Sequence, residues 1–290
     1  MIKDHVFPET VAEAVDLLDR YAGRARVIAG GTDLIIQMKK KEAEPEVLID
    51  IQRIEALGRI EEENGRIAIG AGATFSQLEE SELIRDNALA LAQAAGQVGG
   101  PQIRQQGTIG GNVVSAQPAA DGALTLFAFD AVVEVAGRPA RRSLPLAQAY
   151  LGPGRSALDP RRELLVRILI EPRRRGQGSD YQRLALRRAL QLPILAAAIW
   201  LDLQNGLIRS ARISLGPVAP TPYRAVKAEE FLAGRPANEE SFRQAGRLVS
   251  QDVNPRDSRL RGSGAYRREM AAVLVRRGLV RAAARAAADG

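Results

Sequence analysis

The spacing of apolar and polar side chains predicts alternating strands and helices in the N-terminal part of the chain. Residues 10–21 repeat apolar side chains on one helical face, and Thr10 and Glu13 have the spacing of a capping box. Further helices are predicted from Leu34, from Thr74 with Gln77 in capping position, over Leu83–Gln97 and over Asp121–Phe129. Strands are predicted over Arg26–Ala29, Val47–Ile51, Arg66–Ala71, Val132–Val135 and Leu164–Ile170. The glycine-rich, polar stretch Gly99–Asn112 is assigned neither helix nor strand.

The C-terminal third has a different pattern. Arginine, glycine and proline are frequent in Glu171–Ser179, which predicts a linker. Strands are then predicted over Tyr181–Leu186, Pro193–Leu203 and Ile208–Leu215, with Asn205-Gly206 as a hairpin turn between the last two. Residues 225–234, 238–251 and 263–287 are predicted to be helical. This part should therefore be a small antiparallel sheet followed by three helices.

Composition narrows the classes of protein that fit this pattern. With 290 residues, of which 46% are hydrophobic and 26% charged, the chain is long enough for two or three subdomains. No apolar run has the length of a membrane span, and the N-terminus shows no secretory signal, so we expect a cytoplasmic protein. The net charge is +7, but acidic residues are nearly as numerous as basic ones and aromatics are scarce, so we do not expect nucleic-acid binding.

The chain has few residues for metal or nucleophile chemistry. It has no cysteine, which excludes disulfides, zinc thiolates, iron–sulfur ligation and thiol nucleophiles. Its one histidine, His5, is expected to be a surface residue beside the first strand. We therefore predict no metal site in this chain.

Two glycine-rich turns carry the candidate chemistry. Ala29-Gly30-Gly31-Thr32-Asp33 and Thr108-Ile109-Gly110-Gly111-Asn112 each place adjacent glycines among small polar side chains. Such turns let backbone N–H groups approach a pyrophosphate, although a single Gly-Gly pair is usually structural. Neither a Walker motif nor a Rossmann fingerprint is present, since Gly70-Ala71-Gly72 is followed by Phe75 where a third glycine would stand.

These turns and their surroundings resemble the flavoprotein family of the molybdenum hydroxylases. The segment Val27-Ile28-Ala29-Gly30-Gly31-Thr32-Asp33-Leu34 is similar to the family's first FAD loop. The second loop and the helix start beyond it are matched by Gly100-Pro101-Gln102-Ile103-Arg104, by Gly107-Thr108-Ile109-Gly110-Gly111-Asn112 and by Pro118-Ala119-Ala120-Asp121. Residues 216–222 and Tyr266-Arg267-Arg268 resemble its C-terminal domain. The resemblance covers nearly the whole chain in the right order.

The resemblance implies an α+β architecture. This is the FAD-binding fold of the vanillyl-alcohol-oxidase type, with two α/β subdomains and a C-terminal antiparallel sheet with a three-helix bundle. The expected boundaries are 1–55 and 56–175 for the FAD-binding subdomains and 176–290 for the C-terminal domain.

The resemblance also implies a set of cofactor-binding residues. Both loops would hold the FAD pyrophosphate, Asp121 would hydrogen-bond the cofactor, and Leu169 would line the flavin. Arg183 stands where many members carry a lysine, and Leu192 would cover one face of the isoalloxazine. The implied set is Val27, Ile28, Ala29, Gly30, Gly31, Thr32, Asp33, Leu34, Thr108, Ile109, Gly110, Gly111, Asn112, Asp121, Leu169, Arg183 and Leu192.

Each implied role has a plain structural alternative. Asp33 and Asp121 could simply cap helices, Leu192 could be an ordinary core leucine, and Arg183 could pair with a neighbouring carboxylate. Trp200 is expected in the core or at an interface. One departure from the family is Gln191, since many relatives carry an acidic residue there. It leaves the polarity near the flavin and the choice of electron acceptor open.

The function implied is that of an FAD-binding electron-transfer subunit in a molybdopterin-dependent hydroxylase or dehydrogenase. It would take electrons from [2Fe-2S] clusters and pass them to NAD or another acceptor, in a hetero-oligomer with an iron–sulfur small subunit and a molybdopterin large subunit. FAD does the redox chemistry, so no catalytic acid, base or nucleophile is expected. The substrate stays open, although the segment Gly100-Pro101-Gln102-Ile103-Arg104 slightly favours a xanthine dehydrogenase-like system.

Two other functions compete with this one. A stand-alone FAD-dependent oxidoreductase of the same fold would need its own acid–base groups, for which one histidine and five tyrosines offer little material. A basic binding module would leave both glycine loops unexplained. The absence of cysteine also argues against the 4-hydroxybenzoyl-CoA reductase branch, which carries an inserted cluster loop.

Overall fold

The N-terminal unit is a small parallel sheet with two helices, seen in a computed structural model that describes residues 2–138, 140–187 and 189–288. Its elements are β1 (Asp4–Val6), α1 (Val11–Tyr21), β2 (Ala25–Ile28), α2 (Leu34–Lys39) and β3 (Val47–Asp50). The strand order is β1-β3-β2, with both pairs parallel. Thr10 Oγ1 accepts a 3.1 Å hydrogen bond from the Glu13 N–H, which confirms the predicted cap, while the Glu13 carboxylate reaches the N–H of Glu9.

The second unit is an antiparallel sheet with helices packed against one face. A short 3-10 turn, Glu55–Gly58, leads into it. Its elements are β4 (Ile60–Glu63), β5 (Arg66–Gly70), α3 (Phe75–Glu80), α4 (Glu82–Asn87), α5 (Leu89–Ala95), α6 (Pro101–Gln106), α7 (Ile109–Val114), α8 (Asp121–Ala128), β6 (Val132–Ala136), β7 (Arg142–Pro145), β8 (Tyr150–Gly152), β9 (Arg155–Ser156) and β10 (Leu164–Ile170). The order β4-β5-β10-β6-β7 puts β10 at the centre. Thr74 and Gln77 form the predicted capping box.

The C-terminal unit has the predicted sheet and helices. Its elements are β11 (Gln177–Leu184), β12 (Leu195–Gln204), β13 (Leu207–Gly216), β14 (Tyr223–Arg224), α9 (Val226–Leu232), α10 (Glu239–Asp252) and α11 (Gly264–Ala287). All strand pairs are antiparallel. Asn205 and Gly206 have φ angles of 52° and 75°, which confirms the hairpin between β12 and β13.

Strand β12 joins two hydrophobic cores because successive side chains of a strand point to opposite faces. Ala196, Ala198 and Trp200 pack into the core built around α5 and α8 of the second unit. Leu195, Ala197, Ile199 and Leu201 pack instead against α11. The sheet therefore lies between the second unit and the last helix, which explains why this strand is apolar on both faces.

Three predicted segments differ from the structure. The single helix expected over Leu83–Gln97 is broken at Ala88, where φ is −143°, because the Asn87 side chain turns back to the Leu83 carbonyl and also accepts from the Arg173 N–H. Gly99–Asn112 is largely helical, since Pro101 begins α6 and Thr108 caps α7. The expected linker 171–179 ends early, since β11 already begins at Gln177.

His5 is exposed, as predicted, but its position relative to the strand differs. It lies within β1 rather than beside the first strand, and its Nε2 atom is 3.3 Å from Asp50 Oδ2 on the adjacent β3. Within the described residues, no helix is both long and apolar enough to cross a membrane.

Candidate cofactor site

The first glycine loop leaves the carboxyl end of β2. In parallel α/β sheets this end is where ligands bind. Gly31 has a φ of +68°, which an L side chain rarely adopts, and the Ala29 carbonyl is held by Gln52 Nε2 at 2.7 Å. Across the described parts of the chain, no acceptor pairs with the backbone N–H groups of residues 30–33. The loop thus presents a row of free donors.

The two glycine loops meet at Gly30. A Cβ atom placed on Gly30 would lie 1.7 Å from the carbonyl oxygen of Gln106, at the end of α6. Because Gln106 is followed by Gly107 and Thr108, this contact brings the first loop against the entry to the second. Glycine is required at this position for the close approach of two backbones.

The second loop has its backbone donors already engaged. The N–H groups of Ile109 and Gly110 bond to the carbonyls of Ala73 and Ala71, each at 2.9 Å, and Gly111 N–H bonds to Thr108 Oγ1 at 3.1 Å. A Cβ on Gly110 would lie 2.5 Å from the Ala71 carbonyl oxygen. Packing therefore requires glycine at position 110. The second loop shapes the site, and its backbone N–H groups are not free to bind a ligand.

Asn112 connects the second loop to α8. Its Oδ1 atom accepts a 2.9 Å hydrogen bond from the N–H of Ala123 in the first turn of α8. Ile109 packs onto the same turn, since a Cβ on Gly122 would lie 2.7 Å from Ile109 Cδ1. These contacts fix Asp121, the first residue of α8, relative to the loop.

Asp121 lies in a buried polar cluster with two residues of β11. Its Oδ1 atom accepts a hydrogen bond from the Tyr181 hydroxyl and lies 3.5 Å from Arg183 Nε. Burial raises the pKa of Asp121 from 3.8 to about 6, while the Tyr181 hydrogen bond and the Arg183 charge partly oppose that rise. Burial and the neighbouring Asp121 raise the pKa of Tyr181 well above its usual value, so Tyr181 acts as a donor.

Arg183 links this cluster to Leu192. The Arg183 guanidinium is 3% exposed and donates to the carbonyl of Gln191, while its Nε lacks hydrogen-bond geometry with any described acceptor. The next residue, Leu192, is 61% exposed. The exposure of Leu192 excludes the alternative that it is an ordinary core leucine. Arg183 does pair with a carboxylate, as the structural alternative for that residue predicted.

The remaining implied residues lie at varied places. Val27 and Ile28 end β2, and Leu34 begins α2. Asp33 is exposed and makes no side-chain capping bond, and Asp121 is the first residue inside α8, whose N-cap is Ala120, so neither aspartate is a side-chain N-cap. Leu169 lies in β10 between Ala68 and Val132, and α7 packs against that strand.

Sequence reasoning missed Tyr181. Its hydroxyl reaches a carboxylate 60 positions earlier in the chain, and no local pattern predicts that pairing. The available signal was the two-residue spacing of Tyr181 and Arg183 in a predicted strand, which puts both on one face. Trp200 is a core residue, 9% exposed, with the Arg212 guanidinium 4.2 Å from its ring centre.

Comparison with known proteins places the chain in a family. Residues 2–172 match the family described as the FAD binding domain in molybdopterin dehydrogenase. Residues 180–282 match the CO dehydrogenase flavoprotein C-terminal domain.

Individual relatives match over most of their length. The chain is 33% identical to a xanthine dehydrogenase FAD-binding subunit of Escherichia coli O157:H7, over 86% of this chain and 85% of that one. It is 32% identical to the carbon monoxide dehydrogenase medium chain of Hydrogenophaga pseudoflava, over 97% and 96%. A solved carbon monoxide dehydrogenase from Hydrogenophaga pseudoflava superposes with a TM-score of 0.92 at 32% identity, over 98% of both chains.

These matches confirm the α+β FAD-binding fold and FAD as the cofactor. The chain belongs to the family of FAD-binding oxidoreductase subunits of molybdenum hydroxylases, alongside the medium chain of carbon monoxide dehydrogenase and the FAD-binding subunit of xanthine dehydrogenase.

Proposed function

We propose that this chain carries FAD between its two glycine loops and relays electrons from an iron–sulfur subunit to an acceptor such as NAD. The observation that carries the proposal is the junction of the loops at Gly30 and Gln106, beside a row of free N–H donors. Donors of this kind suit the oxygens of a pyrophosphate, the group that distinguishes FAD from simpler flavins. The site therefore fits the cofactor that the family binds.

The pyrophosphate donors come mainly from the first loop. Residues 30–33 offer backbone N–H groups, whereas the N–H groups of residues 109–112 have intramolecular partners. The second loop adds the Asn112 amide nitrogen and the Thr108 hydroxyl. Val27, Ile28 and Leu34 hold the first loop in place between β2 and α2.

The flavin end of the cofactor is assigned to the polar cluster and its surroundings. Asp121 accepts a hydrogen bond from the cofactor, and Arg183, already buried beside it, contributes positive charge. Leu192 is exposed and free to lie on one face of the isoalloxazine, and Leu169 lines the site from β10. No residue of this chain is assigned an acid, base or nucleophile role.

Bound FAD supplies the redox chemistry, since a flavin accepts single electrons and can give up a pair. The chain's own residues bind and orient the cofactor and set the electrostatics around it. The partners proposed are an iron–sulfur small subunit and a molybdopterin large subunit in a cytoplasmic hetero-oligomer. The domain boundaries proposed are 1–55, 56–175 and 176–290, the last of these carrying Arg183 and Leu192.

The absorbance spectrum of the purified chain is the direct test. We expect a flavin spectrum, and release of FAD in a stoichiometric amount on denaturation. Reduction of the bound flavin by an added iron–sulfur partner, with no substrate oxidised by the chain alone, would support a relay. A folded protein that stays colourless after incubation with FAD would contradict FAD binding, and substrate oxidation by the isolated chain would favour a stand-alone oxidoreductase.

The loop junction can be tested with a matched pair of alanine variants. Gly30→Ala forces the first loop away from Gln106, so we expect at least about a tenfold loss of FAD affinity and a cost of roughly 1–3 kcal/mol in stability. Gly58→Ala is the control, because a Cβ there meets no atom within 4 Å. FAD titration and thermal unfolding measure both effects. Equal FAD affinity in the two variants would contradict the junction as part of the site.

A further inference from the structure

The two oxygens of Asp121 have different surroundings. Oδ1 receives the Tyr181 hydroxyl and faces Arg183 Nε at 3.5 Å. The hydrogen bond and the ion pair that the Asp121 side chain makes with other described residues both use Oδ1, and Oδ2 is not among the buried side-chain atoms that lack a partner. Asp121 as a residue is only 6% exposed, so Oδ2 is the part of the carboxylate that reaches the surface.

We infer that Tyr181 is a positioning residue for the cofactor: its hydroxyl holds Oδ1 of Asp121 so that Oδ2 is presented as an ionised hydrogen-bond acceptor to a hydroxyl or N–H group of FAD. The inference rests on the proposed FAD site. Tyr181 is 3% exposed and lies in the core of the second unit, and its backbone N–H donates to Gln93 Oε1 of α5 at 2.9 Å. Packing of the ring in this core holds the Tyr181 hydroxyl against Asp121.

The surroundings of Asp121 leave Tyr181 and Arg183 as its controlling groups. Helices α5 and α7 contribute the uncharged amides of Gln93 and Asn112 near this end of α8. Strands β12 and β13 pack on α8 through Ala198 and through Ser214, whose hydroxyl bonds the Leu124 carbonyl at 2.8 Å. The charged group formed by Arg212, Arg224, Asp130 and Glu229 lies at the opposite end of α8.

The arrangement makes FAD binding depend on pH in a defined direction. The pKa of Asp121 is about 6, so the acceptor is ionised above neutrality and is progressively protonated as the pH falls. Loss of the Tyr181 donor removes a contact that lowers this pKa, so protonation then begins at higher pH. A Tyr181 that was merely structural would weaken FAD binding equally at every pH.

The test is a set of FAD titrations of the full-length apoprotein between pH 5.5 and pH 9, followed by flavin fluorescence. For the wild type, the dissociation constant should rise roughly three- to fivefold between pH 7 and pH 5.5. Tyr181→Phe should bind FAD about 2- to 10-fold more weakly than wild type at pH 7 and within about twofold of it at pH 9. Asp121→Asn should bind weakly, with no dependence on pH in this range.

Tyr150→Phe is the matched control. The Tyr150 hydroxyl is also buried but has no partner in the described chain, and its ring packs edge-on against Phe127 of the same helix α8. This variant should keep the wild-type pH profile. A Tyr181→Phe profile parallel to that of the wild type would overturn the inference, as would a pH-dependent Asp121→Asn variant. Failure of every variant and of the wild type to bind FAD would instead refute the proposed function.

Discussion

At the scale of single residues, the carboxyl group of Asp121 is costly to bury. Its pKa of about 6 in the folded chain compares with 3.8 for the free side chain, and desolvation is the main cause. Between these two values the folded state holds a proton that the unfolded state has lost. Stability therefore falls as the pH rises from about 4 to about 6, the opposite of the usual carboxylate behaviour. A binding group that lowers stability in this way is typical of functional sites.

Asp121→Asn should relieve this cost in the apoprotein. The amide oxygen still accepts a hydrogen bond from Tyr181 but is never ionised. The free energy of unfolding of the variant should therefore increase relative to that of the wild type as the pH rises. We expect the stability difference to grow by about 2 kcal/mol between pH 4 and pH 7, from the pKa change alone. Urea unfolding across this range measures it. A difference that stays constant with pH would contradict a raised pKa at Asp121.

Asp252→Asn is a control for which stability should change with pH in the opposite direction. The pKa of Asp252 is lowered, first by the hydrogen bond from Lys227 and then by that from Tyr223. Its contribution to stability is present above the free value of 3.8 and is lost as the pH falls below it. This variant should therefore lose stability relative to the wild type as the pH rises from acid toward 4, and then show a constant deficit.

At the scale of elements, strands and capped helices followed from local pattern, whereas the short helices around the site did not. The capping bonds of Thr10 and Thr74 and the turn at Asn205-Gly206 are local, so the sequence was sufficient to predict them. The break at Ala88 depends instead on a tertiary contact from Asn87 to Arg173, 86 positions away. The sequence did not predict helix α7 because its two glycines lower helix propensity, and packing against Ala71 requires one of these glycines.

Asn112 provides a test of how one element supports another. Its side chain caps α8 from a neighbouring helix, so Asn112→Ala leaves the Ala123 N–H without its acceptor. We expect a loss of about 1 kcal/mol in the free energy of unfolding. Asn112→Asp keeps an acceptor at the same place and should recover most of the loss. Denaturant unfolding of the apoproteins measures these free energies of unfolding. Equal stability of the alanine and aspartate variants would rule out this capping role.

At the scale of the whole molecule, the C-terminal sheet is shared between two cores. Alternate residues of β12 belong to the second unit and to the packing against α11. The two units also meet where a Cβ on Gly216 would lie 2.4 Å from the Pro118 carbonyl oxygen, just before Asp121. The family resemblance suggested separate domains, but it could not show that residues such as Tyr181 and Trp200 complete the core of the preceding unit, because those contacts span distant parts of the chain.

This shared core predicts that the second and C-terminal units unfold together. Trp200 is the single tryptophan and packs in the core of the second unit, although its strand belongs to the C-terminal sheet. Loss of its fluorescence should therefore coincide with the loss of far-UV circular dichroism in one denaturant transition. Saturating FAD should move both midpoints upward by the same amount, since a ligand stabilises the whole cooperative unit that forms its site. Two separate transitions, with FAD shifting only one, would show instead that the C-terminal domain folds independently and that Arg183 and Tyr181 contribute little to holding the cofactor.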